Sequence, residues 1–259
     1  GEEAESFAVP SESKKKRLLP TDPNSQETGV RILGSFDEEE QYIEFSKEEL
    51  VEKNYDKAES AFQLAYLRDN FSYEDPGGVF QKTYVEPSDS AQNGLLMLKF
   101  DQYLYRSWFH FAWSASGGVG HIQGRGIFVN GDMSDASFTL WTLPVDLGLT
   151  LELPVGKWLK ISGSAGPSVM GLIQHRSDRE DGEADKTRRQ MSWGRFYEAA
   201  LSFNLNPYFK DMAYQMCNEY EVTSLYLTLK LRSHTYENFK DELKISGQSF
   251  GLGLTFDYL

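Results

Sequence analysis

The chain has 259 residues, with 39 acidic against 26 basic side chains, 14% aromatics and a single cysteine. One cysteine excludes an intramolecular disulfide framework and any CxxC zinc or redox site, and a net charge of −13 argues against nucleic acid as the main partner. No run of 18 apolar residues occurs, so no transmembrane helix can form; a soluble protein and a transmembrane β-barrel both stay open, because a barrel carries its membrane signal in alternation.

Residues 1–60 hold 16 acids and 8 bases, a net of −8, and leave only −5 for the remainder. From Gly1 to Thr28 no hydrophobic period exists: a basic cluster, Lys14 to Arg17, precedes Leu18, Leu19, Pro20 and a Thr-Asp-Pro-Asn stretch, a pattern of flexible or extended chain. Short strands are expected at Val30 to Leu33 and Tyr42 to Phe45. Ser46-Lys47-Glu48-Glu49 has the spacing of a capping box, which predicts a helix from Lys47 to about Glu59.

From Ala61 the pattern has period two to the last residue. Eight segments are expected, at 61–73, 94–105, 108–118, 137–153, 158–173, 193–205, 222–233 and 246–259. In the fourth, Leu143, Val145, Leu147, Leu149, Leu151 and Leu153 alternate with Pro144, Asp146, Gly148, Thr150 and Glu152. In the seventh, Leu225, Leu227, Leu229 and Leu231 alternate with Tyr226, Thr228, Lys230 and Arg232; in the eighth, Phe250, Leu252, Leu254, Phe256 and Tyr258 alternate with Gly251, Gly253, Thr255 and Asp257. A helical step of 100° would scatter these leucines around an axis, whereas a strand puts them on one face.

A soluble eight-stranded barrel turns that face inward, and a membrane barrel turns it to lipid around a polar interior. Three features favour the second. Long polar links (74–93, 119–136, 174–192, 234–245) alternate with tiny ones (Arg106-Ser107 and Pro154 to Lys157), which gathers the long loops at one end. The link Asn206 to Glu221 departs from this rule, and Tyr208, Met212 and Met216 at i, i+4 and i+8 predict a short amphipathic helix at the membrane edge. Aromatics collect beside the short links: Tyr103, Tyr105, Trp108, Phe109, Trp158, Tyr208, Phe209 and Tyr258, as in an interfacial belt. Finally, the polar face carries both signs of charge, Lys99, Asp101, Asp146, Glu152, Lys160, Glu198, Lys230, Arg232 and Asp257. A basic residue facing lipid near the midplane costs about 2 to 4 kcal/mol, so these residues are expected to form a lumenal ion-pair network. His110 is expected to join it opposite Asp101, and Glu152 to stand opposite Lys160. The lipid-facing set is then Leu143, Val145, Leu147, Leu149, Leu151, Leu225, Leu227, Leu229, Leu252, Leu254 and Phe256.

With these residues in place, positions 61–259 resemble the eight-stranded outer-membrane barrel class, the OmpA/OmpX type. The resemblance rests on the small-residue stretch Gly163-Ser164-Ala165-Gly166-Pro167-Ser168 and on the ending Phe250-Gly251-Leu252-Gly253-Leu254-Thr255-Phe256-Asp257-Tyr258-Leu259, with its aromatic one place before the end rather than last. It implies an all-β, eight-stranded antiparallel up-and-down transmembrane barrel (61–259) with an N-terminal periplasmic extension (1–60), set in a bacterial outer membrane with both termini periplasmic and long loops outside. Outer-membrane lipid and lipopolysaccharide are the implied surroundings. The extension has too few apolar residues for its own core, so a periplasmic or envelope protein is the expected partner for it.

No cofactor or metal constellation stands out; Asp178, Glu180, Asp181 and Glu183 read as a solvated loop. The glycine clusters Gly117-Gly118-Val119-Gly120 and Gly124-Arg125-Gly126 lack the Lys-Ser/Thr of a phosphate loop and read as strand-end and loop glycines. His121 and His234 have no nucleophile beside them. His175 and Ser177, two apart on a strand, point one way and resemble the outward His and Ser of outer-membrane lipid A deacylases, without the rest of that signature. The reading is therefore a non-enzymatic barrel, the alternatives being such a deacylase or a soluble eight-stranded barrel. Eight strands enclose a lumen that side chains fill, which leaves no room for a steady pore.

Overall fold

The computed structural model describes residues 19–20, 29–32, 43–46, 53–55, 57–85, 91–127, 133–176 and 187–259. Ser177, Tyr42, the acidic residues from Asp178 to Glu183 and most of the capping box lie outside them. Within the first 60 residues, β1 (Leu19–Pro20), β2 (Gly29–Ile32) and β3 (Ile43–Ser46) form a small antiparallel sheet in the order β1-β2-β3. Of the helix expected from Lys47 to about Glu59, residues 53–55 are helical and the chain turns at Lys57, whose amide donates to the Asn54 carbonyl at 3.0 Å.

Eight long strands follow: β4 (Ser60–Glu74), β5 (Ala91–Arg106), β6 (His110–Ile127), β7 (Met133–Val155), β8 (Leu159–Arg176), β9 (Arg188–Asn204), β10 (Val222–Tyr236) and β11 (Lys244–Tyr258). Each pairs antiparallel with its neighbours in sequence, and β11 closes on β4, giving an up-and-down closed barrel. Following register partners once around, from Gln63 through Lys99, Ser116, Asp146, Ser168, Gly194, Tyr236 and Ile245, the path returns to β4 at Tyr73. The stagger is thus ten residues (73 − 63), which for eight strands corresponds to a tilt of about 40°.

All eight predicted segments are strands, but their long-loop ends run further than the alternation shows. β6 and β7 continue to Ile127 and from Met133, because their ladder keeps pairing through Gly120–Thr142, Gln123–Thr139 and Arg125–Ser137. A transmembrane strand needs about 9 to 11 residues, and β7, with 23, is about twice that length. The glycines expected at strand ends and loops, Gly117, Gly118, Gly120 and Gly124, lie inside β6. Among the described residues two short α-helices lie in the links. α1 (Val79–Tyr84) lies between β4 and β5 and packs on β6; α2 (Lys210–Tyr220), the helix expected in the sixth link, packs on β10.

The short links differ from expectation by a few residues, and this resets the register. The β5–β6 turn comprises Ser107 to Phe109, with a register shift between Tyr103 and Tyr105, so Asp101 faces Ser114 rather than His110. His110 instead pairs with Glu152. The β7–β8 turn comprises Gly156 to Trp158, with Gly156 at φ 66°, a left-handed value that favours glycine. Glu152 consequently faces Ser162, and Lys160 faces Pro154.

Candidate functional site

The interior of the barrel has two layers. In the layer nearer the short turns, inward positions carry the charged residues, all nearly inaccessible. The Lys99 ammonium lies 3.3 Å from Asp101 and 3.3 Å from Glu198 and donates to the Ser164 hydroxyl at 2.8 Å. Lys230 meets the same Glu198 at 3.0 Å. Lys160 donates to both oxygens of Asp257, at 3.1 and 3.0 Å, reaches Glu152 at 3.4 Å across the diagonal of the ladder, and stands 4.1 Å from the centre of the Tyr226 ring. Glu152 also accepts from the Tyr103 hydroxyl at 3.0 Å and lies 3.4 Å from His110 Nδ1.

One strand turn higher, Arg232 grips Asp146 with both guanidinium nitrogens, at 2.5 and 2.9 Å, while Ser116 and Ser168 donate to the same carboxylate at 2.6 and 2.5 Å. The ten residues expected in the network are buried; nine lie within ion-pair distance of an opposite charge, and His110 lies beside Glu152 rather than Asp101. Three further buried side chains of the lumen escaped sequence reading. Asp69 accepts a short bond from Ser249; Tyr103 points into the lumen instead of joining the aromatic belt; His234 is buried with its ring 4.9 Å from that of Phe71. Their signal was parity. Asp69 shares the inward face of the first segment with Gln63, Ala65 and Leu67, and Tyr103 shares that of Asp101.

Towards the long loops the interior becomes apolar. Phe71, Tyr73, Ile122, Leu140, Met170, Leu172, Tyr236 and Ile245 close over the charges, and α1 and the β10–β11 link add Tyr84, Phe239 and Leu243 from above. α1 can settle there because β6 offers Gly124 beneath it: a Cβ at that position would run into the Thr83 carbonyl. At the opposite mouth the segment before β4 crosses the opening. Arg106 donates to the Ala58 carbonyl at 2.6 Å and the Tyr55 carbonyl at 3.3 Å, and Asn54 reaches Cys217 of α2 at 3.5 Å.

The outer face is the converse of the lower interior. Val145, Leu147, Leu149 and Leu151 are about half exposed, Leu147 at 58%, and Leu143, Leu227, Leu229, Leu252 and Leu254 are exposed as well; Phe256 is half-buried. Leu225 departs from the set. It is buried where the chain after β9 folds back over β10, with Leu205 N donating to its carbonyl at 2.8 Å and its own amide donating to Asn206 Oδ1 at 3.0 Å. Trp108, Tyr105, Trp158, Tyr208 and Phe209 are exposed around the short turns, Phe109 is half-buried against Trp108, and Trp158 and Tyr208 meet edge to face at 5.8 Å.

His175 is exposed near the end of β8, with Nδ1 3.5 Å from the Thr187 hydroxyl. Ser177 lies outside the described residues, so the candidate dyad rests on the sequence alone. Among the described residues no group of three or more His, Cys, Asp or Glu side chains is placed to hold a metal ion, and no helix is long and apolar enough to cross a membrane.

A closed eight-stranded antiparallel barrel with leucines outside and ion pairs inside has the architecture of the eight-stranded outer-membrane barrels. No protein-family model matches the sequence, and no curated protein does. Among solved structures the chain is similar to Ail, the attachment invasion locus protein of Yersinia pestis, in complex with the heparin analogue sucrose octasulfate, at 12% identity and a TM-score of 0.43 over 77% of this chain and 99% of that one. It is similar also to the outer membrane protein OprG of Pseudomonas aeruginosa, at 11% identity and a TM-score of 0.39 over 78% and 96% of the two chains. The outer membrane protease OmpT of Escherichia coli matches at 9% identity and a TM-score of 0.38 over 66% of each chain.

Proposed function

We propose that the protein is a non-enzymatic integral barrel of a bacterial outer membrane, with both termini on the periplasmic side, that anchors residues 1–60 for contact with a periplasmic or envelope protein. The observation that carries the reading is the inverted packing. Four bases and six acids, Asp69 among them, are buried inside while rows of leucine are left to the surroundings, and hydrocarbon is the solvent in which that distribution is the stable one. An assembly role suits a lumen that, among the described residues, is filled by side chains. The segment entering β4 supports the anchoring part: Arg106 donates to the Ala58 carbonyl and Asn54 reaches Cys217, which ties residues 54–58 to the short-turn end of the barrel.

The reading is tested by expressing the full chain in a Gram-negative host. The barrel is expected in the outer-membrane fraction, to need detergent for extraction and to migrate faster on gels when unheated. A folded chain that stays in aqueous buffer without detergent would refute it. Cross-linking from Lys53 in cells is expected to capture a periplasmic protein; cross-links confined to the barrel's own mouth would reduce the leader to a plug.

A further inference from the structure

The apolar outer face is not equally tall around the barrel. On β11 the outward run is Phe256, Leu254, Leu252 and Phe250 and then gives way to Gln248; on β10 it ends at Leu231, before Ser233, and on β4 at Tyr66, before Arg68. On β7 it continues from Val155 through every second residue to Trp141. An outward step covers about 6.6 Å of strand, or about 5 Å of height at a tilt near 40°. The three steps of the β11 run rise about 15 Å and fit inside an apolar band of about 25 Å, whereas the seven steps of the β7 run rise about 35 Å and outgrow it. β9 marks where the hydrocarbon stops: Arg195 is exposed between Tyr197 and Trp193, and a guanidinium is costly in hydrocarbon, so this position sits at headgroup level. Trp193 and Met191, 65% and 64% exposed, rise above it.

Across the three strands the register sets Trp141 beside Ile173 and Ile173 beside Arg189, then Leu143 beside Gly171 and Gly171 beside Met191, then Val145 beside Val169 and Val169 beside Trp193. Gly171 is the floor of this ledge. Nothing in the fold demands a glycine there, since a Cβ would meet only Leu143, at an ordinary 3.6 Å. Its absence leaves a depression between two indoles. On β8, on β9 and on residues 137–155 of β7 no carboxylate stands on the described outward face, so Arg189 and Arg195 make this part of the ledge cationic. Six residues apart, they are separated by roughly 20 Å of strand.

We propose that this ledge binds the phosphorylated sugar head of an outer-leaflet glycolipid. Sugar faces lie against Trp141 and Trp193, and Arg195 and Arg189 each take a phosphate, one at membrane level and one higher on the saccharide. The proposal rests on the outer-membrane reading above, which puts the long-loop end outside. Continuity of the ledge with the lipid-facing wall below it, together with its positive charge, selects an anionic amphiphile over a neutral one.

The test is titration of the full-length protein in phospholipid nanodiscs with rough-type lipopolysaccharide and with the same glycolipid after dephosphorylation, read by native mass spectrometry. The phosphorylated form is expected to bind roughly tenfold more tightly, as one or two charge-assisted contacts allow. Arg189→Gln with Arg195→Gln removes that preference, and Gly171→Trp, which fills the floor, weakens both forms. Equal binding by wild type and the double variant overturns the proposal. So does a dimer that Gly171→Trp dissolves while glycolipid binding is unchanged, which would give the ledge to a second copy. Heat-modifiable migration checks that each variant is folded, and a wild-type chain that fails to enter nanodiscs at all counts against the outer-membrane reading rather than the ledge.

Discussion

Asp146 shows why single lumenal residues matter in this barrel. Its carboxylate is 1% exposed and receives four donors, two from Arg232 and one each from Ser116 and Ser168. Asp146→Ala leaves the Arg232 guanidinium, also 1% exposed, without its principal counter-charge. Removing one partner of such a buried pair costs about 3 to 5 kcal/mol, and replacing both by apolar groups of similar volume recovers much of it. Urea titration of the barrel in detergent is expected to show that loss for Asp146→Ala and a markedly smaller one for Asp146→Leu combined with Arg232→Met. Equal losses would mean that the bidentate pair contributes nothing beyond packing. The sequence discloses this residue through parity alone, since Asp146 alternates with Val145 and Leu147. It does not disclose the partner, because Arg232 lies on a strand that meets β7 only across the lumen.

At the scale of elements, what could be read from the chain was what a uniform environment imposes. Wherever a strand separates the apolar outer face from the charged lumen, period two is clean, and all eight segments were visible for that reason. Beyond that apolar face the constraint changes. On β6 the run Gly117-Gly118-Val119-Gly120 has no apolar ridge, yet the ladder to β7 continues, since the backbone amides still need partners. The same change hid the aromatic cap, whose members come from β4, β6, β7, β8, β10, β11, α1 and the β10–β11 link, with no motif in any of them. Turn lengths were missed by a residue or two, which sufficed to give His110 the wrong neighbour. The cap depends on close approach of α1 to β6. Gly124→Leu is expected to push α1 off the cap and expose Tyr84, read as faster trypsin cleavage at Lys82, with the heat-modifiable shift of the barrel retained because the ladder below is untouched. At the other mouth, Arg106→Ala removes two carbonyl bonds and is expected to open Lys53 and Lys57 to the same protease.

For the whole molecule the governing feature is a reversal of faces along the strand direction. On β4, Leu64 and Tyr66 face outward against Gln63 and Ala65 inside, and then Arg68, Asn70 and Ser72 face outward against Phe71 and Tyr73 inside. β11 and β10 reverse at Phe250 to Gln248 and at Leu231 to Ser233. The lower part is packed as a membrane barrel and the upper part as a soluble one, with the core moved from outside to inside. This places a boundary that charge substitutions can locate. Leu149 lies in the middle of the outward run of β7, so Leu149→Arg is expected to destabilise the barrel in bilayers by about 2 to 4 kcal/mol, a penalty that falls to about 0 to 1 kcal/mol near the interface. Asn70→Arg lies above the reversal and is expected to be neutral within about 0.5 kcal/mol, as surface changes usually are. Reversible unfolding in lipid vesicles measures both. If the two substitutions cost the same, the exposed leucines of β7 do not face hydrocarbon, and the inverted packing would need a protein partner, rather than a membrane, to cover it.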